Sequence, residues 1–295
     1  MSGTYRDLFV SASDGLRLYA RDYGPREENA LPVVCLPGLA RNSQDFHALA
    51  EALGLDAERP RRVLALDYRG RGRSEWDPDW RHYDIGTELS DVLQVLIAAG
   101  IEKAVFVGTS RGGLITMALS AARPTLLAGI VLNDIGPVIE REGLIRIRNY
   151  VGKLPLPKTM QEGAEILKQL SDAPFPAFGQ AQWASMARGT WHEKDGRLTL
   201  SYDPSLMKPL EALDLESPIP DLWDLFGGLA PYPVLAIRGE NSDLLSAHTL
   251  GAMQERHPGL TAITVPGQGH APLLEGALVR SVKGLIGRAE VAHRP

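Results

Sequence analysis

Compact apolar runs of strand length recur along the chain, each bounded by turn-forming residues: "PVVCLPG" (32–38), "RVLALDYRG" (62–70), "KAVFVG" (103–108) and "AGIVLND" (128–134). They are rich in Val and Leu and show little alternation, as expected of strands buried on both faces. "LRLYARDYG" (16–24) roughly alternates, as a half-buried strand does. Between the runs lie amphipathic stretches, clearest in "GTELSDVLQVLIAAG" (86–100), which ends at a glycine as helices often do. The rhythm returns with "PVLAIRG" (233–239), a helical "SAHTLGAMQERHPG" (246–259), "LTAITVPG" (260–267) and a final helix over about 273–286. Such alternation predicts an α/β fold with a mostly parallel sheet covered on both faces. The tail "RAEVAHRP" (288–295) is expected to fray.

The stretch 136–229 breaks the rhythm, with many prolines, helical pieces such as "TMQEGAEILKQLSD" (159–172), and Trp183, Trp191 and Trp223. An insertion of that size at the carboxyl ends of the strands is expected to sit over the sheet as a helical cap. The expected division is a core of 1–135 with 230–295, and a cap of 136–229.

Composition changes this picture little. The chain has 295 residues, 44% hydrophobic and 23% charged, with a formal net charge of −5. Those values suit a soluble globular protein and give no reason to expect nucleic acid or an anionic membrane as partner. Arg59, Arg61, Arg62, Arg69, Arg71 and Arg73 cluster, but Asp67, Glu75, Asp77 and Asp79 lie among and beyond them, which reads as local pairing. The single Cys35 is expected to be a buried strand residue. No apolar run approaches the roughly 18 residues a membrane helix needs, and the N-terminus lacks the pattern of a signal peptide. The cytoplasm is the expected location.

The candidate chemistry lies in "AVFVGTSRGG" (104–113), where Ser110 stands between Gly108 and the pair Gly112 and Gly113. A strand, G-x-S-x-G and a helix-like "LITMALSAA" make a nucleophile elbow, in which the chain turns so sharply that neighbouring side chains would collide. A serine hydroxyl needs a base, and the base an acid to orient it. His270 in "VPGQGHAPL" and Asp243 in "RGENSDLLS" each follow a strand, in the order Ser, Asp, His. Asp134, in "VLNDIGP", also follows a strand and is the main rival for the acid; Glu240 is a weaker one. His47, His82, His192, His248 and His257 show no metal-ligand spacing, and no cofactor-binding glycine motif opens a helix after a strand. Neither a metal nor a cofactor is expected.

Together "LPGLARNSQDF" (36–46), "DYRGRGRS" (67–74), "GTSRGG", "RGENSD" and "GQGH" resemble the motifs of α/β-hydrolase fold serine hydrolases of the ester- and lactone-cleaving kind, over essentially the whole chain. The resemblance implies a cofactor-independent hydrolase of a small to medium ester or lactone, with Ser110, His270 and Asp243 as triad. It implies the backbone N–H groups of Leu39 and Arg111 as oxyanion donors. Many relatives carry His-Gly where this chain has Pro37-Gly38, a difference that spares a backbone donor. The Arg111 side chain is expected to pair with a nearby carboxylate, and the three cap tryptophans are candidates for an apolar pocket wall. Carbon–carbon bond hydrolases and perhydrolases share such a triad, and a ligand-sensing protein retaining the fold is a further alternative.

Overall fold

The computed structural model describes residues 4–26 and 30–293. The strands are β1 (Tyr5–Ser11), β2 (Arg17–Tyr23), β3 (Val33–Leu36), β4 (Val63–Asp67), β5 (Ala104–Thr109), β6 (Leu127–Asn133), β7 (Trp191–Lys194), β8 (Arg197–Leu200), β9 (Val234–Gly239) and β10 (Leu260–Val265). The helices are α1 (His47–Gly54), α2 (Ile85–Ala99), α3 (Arg111–Ala122), α4 (Arg141–Tyr150), α5 (Met160–Ser171), α6 (Gln180–Thr190), α7 (Lys208–Glu211), α8 (Trp223–Gly227), α9 (Ala247–Arg256) and α10 (Ala277–Ala292). Eight strands form one sheet in the order β1-β2-β4-β3-β5-β6-β9-β10, and β7 with β8 make a separate hairpin. β2 runs antiparallel to β1 and β4, and the pairings from β4 to β10 are parallel. This is the expected α/β architecture.

Alternate residues of the central strands feed two cores. Val105 and Val107 of β5 pack on one face with Leu49 and Leu53 of α1 and with Val282, Leu285 and Ile286 of α10. Ala104 and Phe106 face the other side, with Val92 and Leu96 of α2, Ile115 and Leu119 of α3, and Met253 of α9. Cys35 is fully buried among the first set, and burial pushes its thiol up from the usual range. Helix α2 starts at an Asp84 side chain accepting from the Gly86 and Thr87 N–H groups and ends at Gly100 with φ 66°.

Two expectations need correction, and one strand was not anticipated. Edge strand β1 has no apolar run to announce it, because none of its side chains is fully buried. The last helix starts at Ala277, after a loop that ends at Gly276 with φ 56°, and continues to Ala292. Nor does the tail fray within the described residues: the buried Glu290 carboxylate accepts from Arg59 Nη1 at 2.7 Å, Arg61 Nη1 at 2.9 Å and the Leu31 N–H at 3.3 Å.

The arginine cluster pairs over longer range than expected. Arg69 reaches Asp77, but also Asp14 and Asp91, while Arg71 pairs with Glu88 and Arg73 with Asp7. Asp67 instead accepts the N–H groups of Ser43 and Arg73.

Between β6 and β9 lie α4 to α8 and the hairpin. A small core of Leu167, Phe175, Trp183, Ala187 and Trp191 holds α5, α6 and the hairpin together. Helix α8 packs instead on α3 of the main layer, with Phe226 in the large core.

Replacing Glu290 with Ala would strand Arg61, whose side chain is only 8% exposed. We expect a loss of about 3 kcal/mol, read as a lower urea midpoint with unchanged slope.

Candidate active site

Ser110 stands between β5 and α3 with φ 51° and ψ −114°, a backbone that L residues rarely adopt. Its N–H donates to Asn133 O at 3.0 Å, tying the turn to the neighbouring β6. The flanking glycines are required by space. A Cβ on Gly108 would lie 2.5 Å from the Gly112 carbonyl carbon, one on Gly112 2.0 Å from Leu36 O, and one on Gly113 2.2 Å from Ile135 Cγ2.

His270, in the loop after β10, meets the serine: its Nε2 lies 2.9 Å from Ser110 Oγ. On the other side of the ring, Nδ1 lies 2.8 Å from Asp134 Oδ2. A carboxylate only accepts, so Nδ1 carries the proton and Nε2 is left to accept from the serine hydroxyl. Asp134 follows β6 directly, with φ 56°, and is fully buried. Its carboxylate also accepts from the Gly239 N–H at 2.7 Å and from Ser242 Oγ at 2.5 Å. Three donors on a buried carboxylate fix its orientation.

The expectation that Asp243 orients the base is therefore corrected. No hydrogen bond joins Asp243 to His270. The Asp243 carboxylate instead accepts from Arg146 of α4, with Nη2 to Oδ1 at 2.8 Å and a second bond from Nε to Oδ2. Burial pushes the Asp243 carboxyl up, but the Arg146 hydrogen bond and charge outweigh that and hold it below the ordinary range. The loop after β9 contributes a different residue, Ser242, whose hydroxyl also accepts from the Leu244 and Leu245 N–H groups at 3.2 and 3.1 Å. Glu240 faces the Gly267 N–H at 2.8 Å and takes no part.

Leu39 lies beside Ser110, since a Cβ on the preceding Gly38 would come within 3.8 Å of Ser110 Cβ. The Leu39 N–H has no hydrogen-bond partner among the described residues. Arg111 is the first residue of α3, where an N–H has no partner within the helix. Its side chain turns away to Glu88 Oε2 at 2.5 Å and Tyr83 O at 3.0 Å, the structural pairing expected for it.

The pocket over Ser110 is lined by Gly38, Leu39, Thr109 and His270 from the sheet side, and by Ile147, Tyr150, Leu154, Leu167 and Met186 from the segment between β6 and β9. The three tryptophans do not form its wall. Trp183 and Trp191 are buried in the small core of that segment, and Trp223 lies under the guanidinium of Arg256, 3.8 Å from its ring centroid. The smaller aliphatic residues on the inner faces of α4, α5 and α6 line it instead.

Arg41 also lines the pocket, and nothing in the spacing had marked it beyond an Asp45 four residues on. Its guanidinium donates to Asp45 at 2.7 and 2.5 Å and to Thr190 Oγ1 at 2.7 Å, while Asn42 Nδ2 reaches Gly189 O at 2.8 Å. The loop after β3 is thereby fastened to the end of α6.

Among the described residues one grouping has metal-like spacing: Asp14, Asp77 and His82. Arg69 Nη1 donates to Asp14 at 2.9 Å and Asp77 at 2.5 Å, so a side-chain cation already occupies that position. No helix among the described residues is long and apolar enough to cross a membrane.

Comparison with known proteins gives the family. Residues 33–282 match the model of the alpha/beta hydrolase family. The chain is 33% identical over 281 residues to the 3-hydroxybutyrate-oligomer hydrolase of Cupriavidus necator, covering 92% of this chain and 94% of that protein. It is 25% identical over 257 residues to the esterase YbfF of Escherichia coli, covering 83% and 87%. A crystal structure of an alpha/beta hydrolase from Novosphingobium aromaticivorans superposes with a TM-score of 0.90 at 40% identity, covering 98% of this chain and all of that one. With the fold, the elbow and these similarities in agreement, the chain belongs to the alpha/beta hydrolase family.

Proposed function

We propose that the protein is a serine hydrolase that cleaves a small to medium carboxylic ester through an acyl-enzyme on Ser110. The observation that carries this reading is the continuous relay from Ser110 Oγ through the His270 ring to the buried Asp134, at 2.9 and 2.8 Å. In this reading Ser110 Oγ attacks the ester carbonyl carbon as His270 Nε2 takes its proton. The carbonyl oxygen, now negative, is received by the N–H groups of Leu39 and Arg111. Asp134 stabilises the imidazolium through Nδ1 and is not itself protonated. Collapse of the tetrahedral intermediate expels the alkoxide, which takes the proton from Nε2. Water then enters, gives a proton to Nε2 and attacks the acyl carbon. A second collapse returns the proton to Ser110 and frees the acid.

The segment 136–229 serves in this reading as the cap, and its aliphatic side chains set the space for the acyl or alcohol portion. The Asp243–Arg146 pair, between the loop after β9 and α4, is a clamp on that cap. The relative from C. necator is named for oligomers of a hydroxy acid. Similarity to it over most of both chains supports a short linear ester of a hydroxy acid as the first substrate to test, beside simple esters and lactones.

The reading predicts that a fluorophosphonate probe labels Ser110 and that Ser110→Ala abolishes turnover of a short chromogenic ester. Labelling mapped by mass spectrometry to another serine would overturn it. Asp134→Asn should keep the fold but impose the wrong tautomer on His270, lowering kcat by a factor on the order of 10⁴. Asp243→Asn should lower kcat less than about tenfold and act mainly on KM, because it loosens the cap without touching the base. Steady-state kinetics of the two variants side by side decide between the carboxylates, and the reverse ranking would show that Asp243 orients the base in solution.

A further inference from the structure

Behind the two oxyanion donors lies a buried chain of side chains that joins one to the other. Arg111 Nε donates to Glu88 Oε2 at 2.5 Å, and the other oxygen of that carboxylate, Oε1, accepts from Arg71 Nη1 at 2.7 Å. Arg71 Nε in turn donates to Leu39 O at 2.8 Å. Glu88 and Arg71 are wholly buried, and the Arg111 side chain is 15% exposed. We propose that Glu88 is a positioning residue for the oxyanion hole, acting through Arg71 on the Leu39 backbone and through Arg111 on the first turn of α3. The proposal rests on the reading that these two N–H groups receive the oxyanion.

The geometry gives Glu88 a part that packing alone does not require. Leu39 stands in a loop whose own closure is a single bond, from the Arg41 N–H to Gly38 O at 3.2 Å. That bond orients the Gly38–Leu39 peptide, and the grip of Arg71 on Leu39 O holds the next one. Arg71 is itself held by Glu88 and by Arg69 O at 2.7 Å, between the rings of Tyr68 and Tyr83 at 5.7 and 5.5 Å. Burial presses the Arg71 guanidinium down from its ordinary value, and the charge of Glu88 counters that. The group as a whole holds two guanidiniums against one carboxylate.

The test uses Glu88→Gln, which keeps the shape but presents an amide N–H₂ to one of the two arginines. Its partner is Arg111→Met, which keeps the backbone donor and removes only the tether from a partly exposed side chain. Each is compared with wild type for kcat, KM, melting temperature, the acid limb of the pH profile, inhibition by an alkyl trifluoromethyl ketone, and the carbonyl stretch of a slowly hydrolysed cinnamoyl-enzyme. We expect kcat to fall roughly 10- to 100-fold with KM within about twofold, less than the loss of a whole donor. The acyl carbonyl stretch should move to higher wavenumber, and trifluoromethyl ketone affinity should fall by the same factor as kcat/KM. The acid limb should not move, because His270 and Asp134 are untouched. A cinnamoyl-enzyme that forms on Ser110 with the wild-type stretch in both variants would overturn the positioning role and leave the esterase reading standing. Lower activity that follows the melting temperature alone, with stretch and ketone affinity unchanged, would do the same. Failure of wild-type Ser110 to become acylated would instead remove the reading beneath it. Should Glu88→Gln not fold, Arg111→Met carries the same readouts.

Discussion

The passage of the chain from β5 into α3 is the constraint on which the rest of the site depends. The helix begins so close to β3 that a Cβ on Gly112 would lie 2.0 Å from Leu36 O, and one on Gly108 would lie 2.5 Å from the helix's first turn. Helix α3 can therefore start at once only if Ser110 takes a positive φ, a strain worth on the order of 1–3 kcal/mol. The return on that strain is geometric. The hydroxyl meets His270 Nε2, the Arg111 N–H is left without a helical partner, and the loop after the neighbouring β3 lies beside the turn at Gly38. The sheet order then supplies the rest, because β6 lies directly beside β5 and its end brings Asp134 under the ring of His270.

Much of this was legible in the chain. The buried central strands announced themselves because both their faces are covered, so their apolar runs are unbroken. Edge strand β1 did not, because an edge with partly exposed residues carries neither a run nor a clean alternation. The elbow was readable from its glycines, since only a steric demand explains them. The acid was not. Asp134 and Asp243 both stand just past the carboxyl end of a strand, and β6 and β9 are neighbours in the sheet. Which carboxylate meets His270 depends on side-chain direction within each loop, and the loop after β9 turns Ser242 inward and Asp243 toward Arg146. Composition could show neither. The tryptophans misled for a related reason. A large aromatic in an insertion serves either a pocket or the insertion's own core, and a segment this small needs Trp183 and Trp191 for the latter.

Sequence distance was also a poor guide to charge pairing. The arginines of 59–73 seemed to have acidic partners close by, yet only Arg69 takes one of them, Asp77, and it takes Asp14 and Asp91 as well. Arg69 and Arg71 of the turn at 67–74 are buried, so they must find carboxylates inside the fold, wherever the chain supplies them. Arg71 finds Glu88 on α2, and in doing so reaches the carbonyl of Leu39. The same need for burial that took the Arg71–Glu88 pair out of water has made it part of the floor behind Ser110.

The pairing has a consequence for what the pocket can select. Arg41 faces the cavity but is saturated by Asp45 and Thr190, and Arg111 is directed away to Glu88. Arg146 is engaged by Asp243 at the side of α4. Those cations are each matched at close range, while Ile147, Leu154, Leu167 and Met186 give the wall an apolar stretch beside Tyr150. An ionised group driven against that wall would lose its hydration with no free partner among these three to replace it. In the proposed reading, selection against that apolar stretch works through shape and apolar area, worth about 25 cal/mol per Å² removed from water.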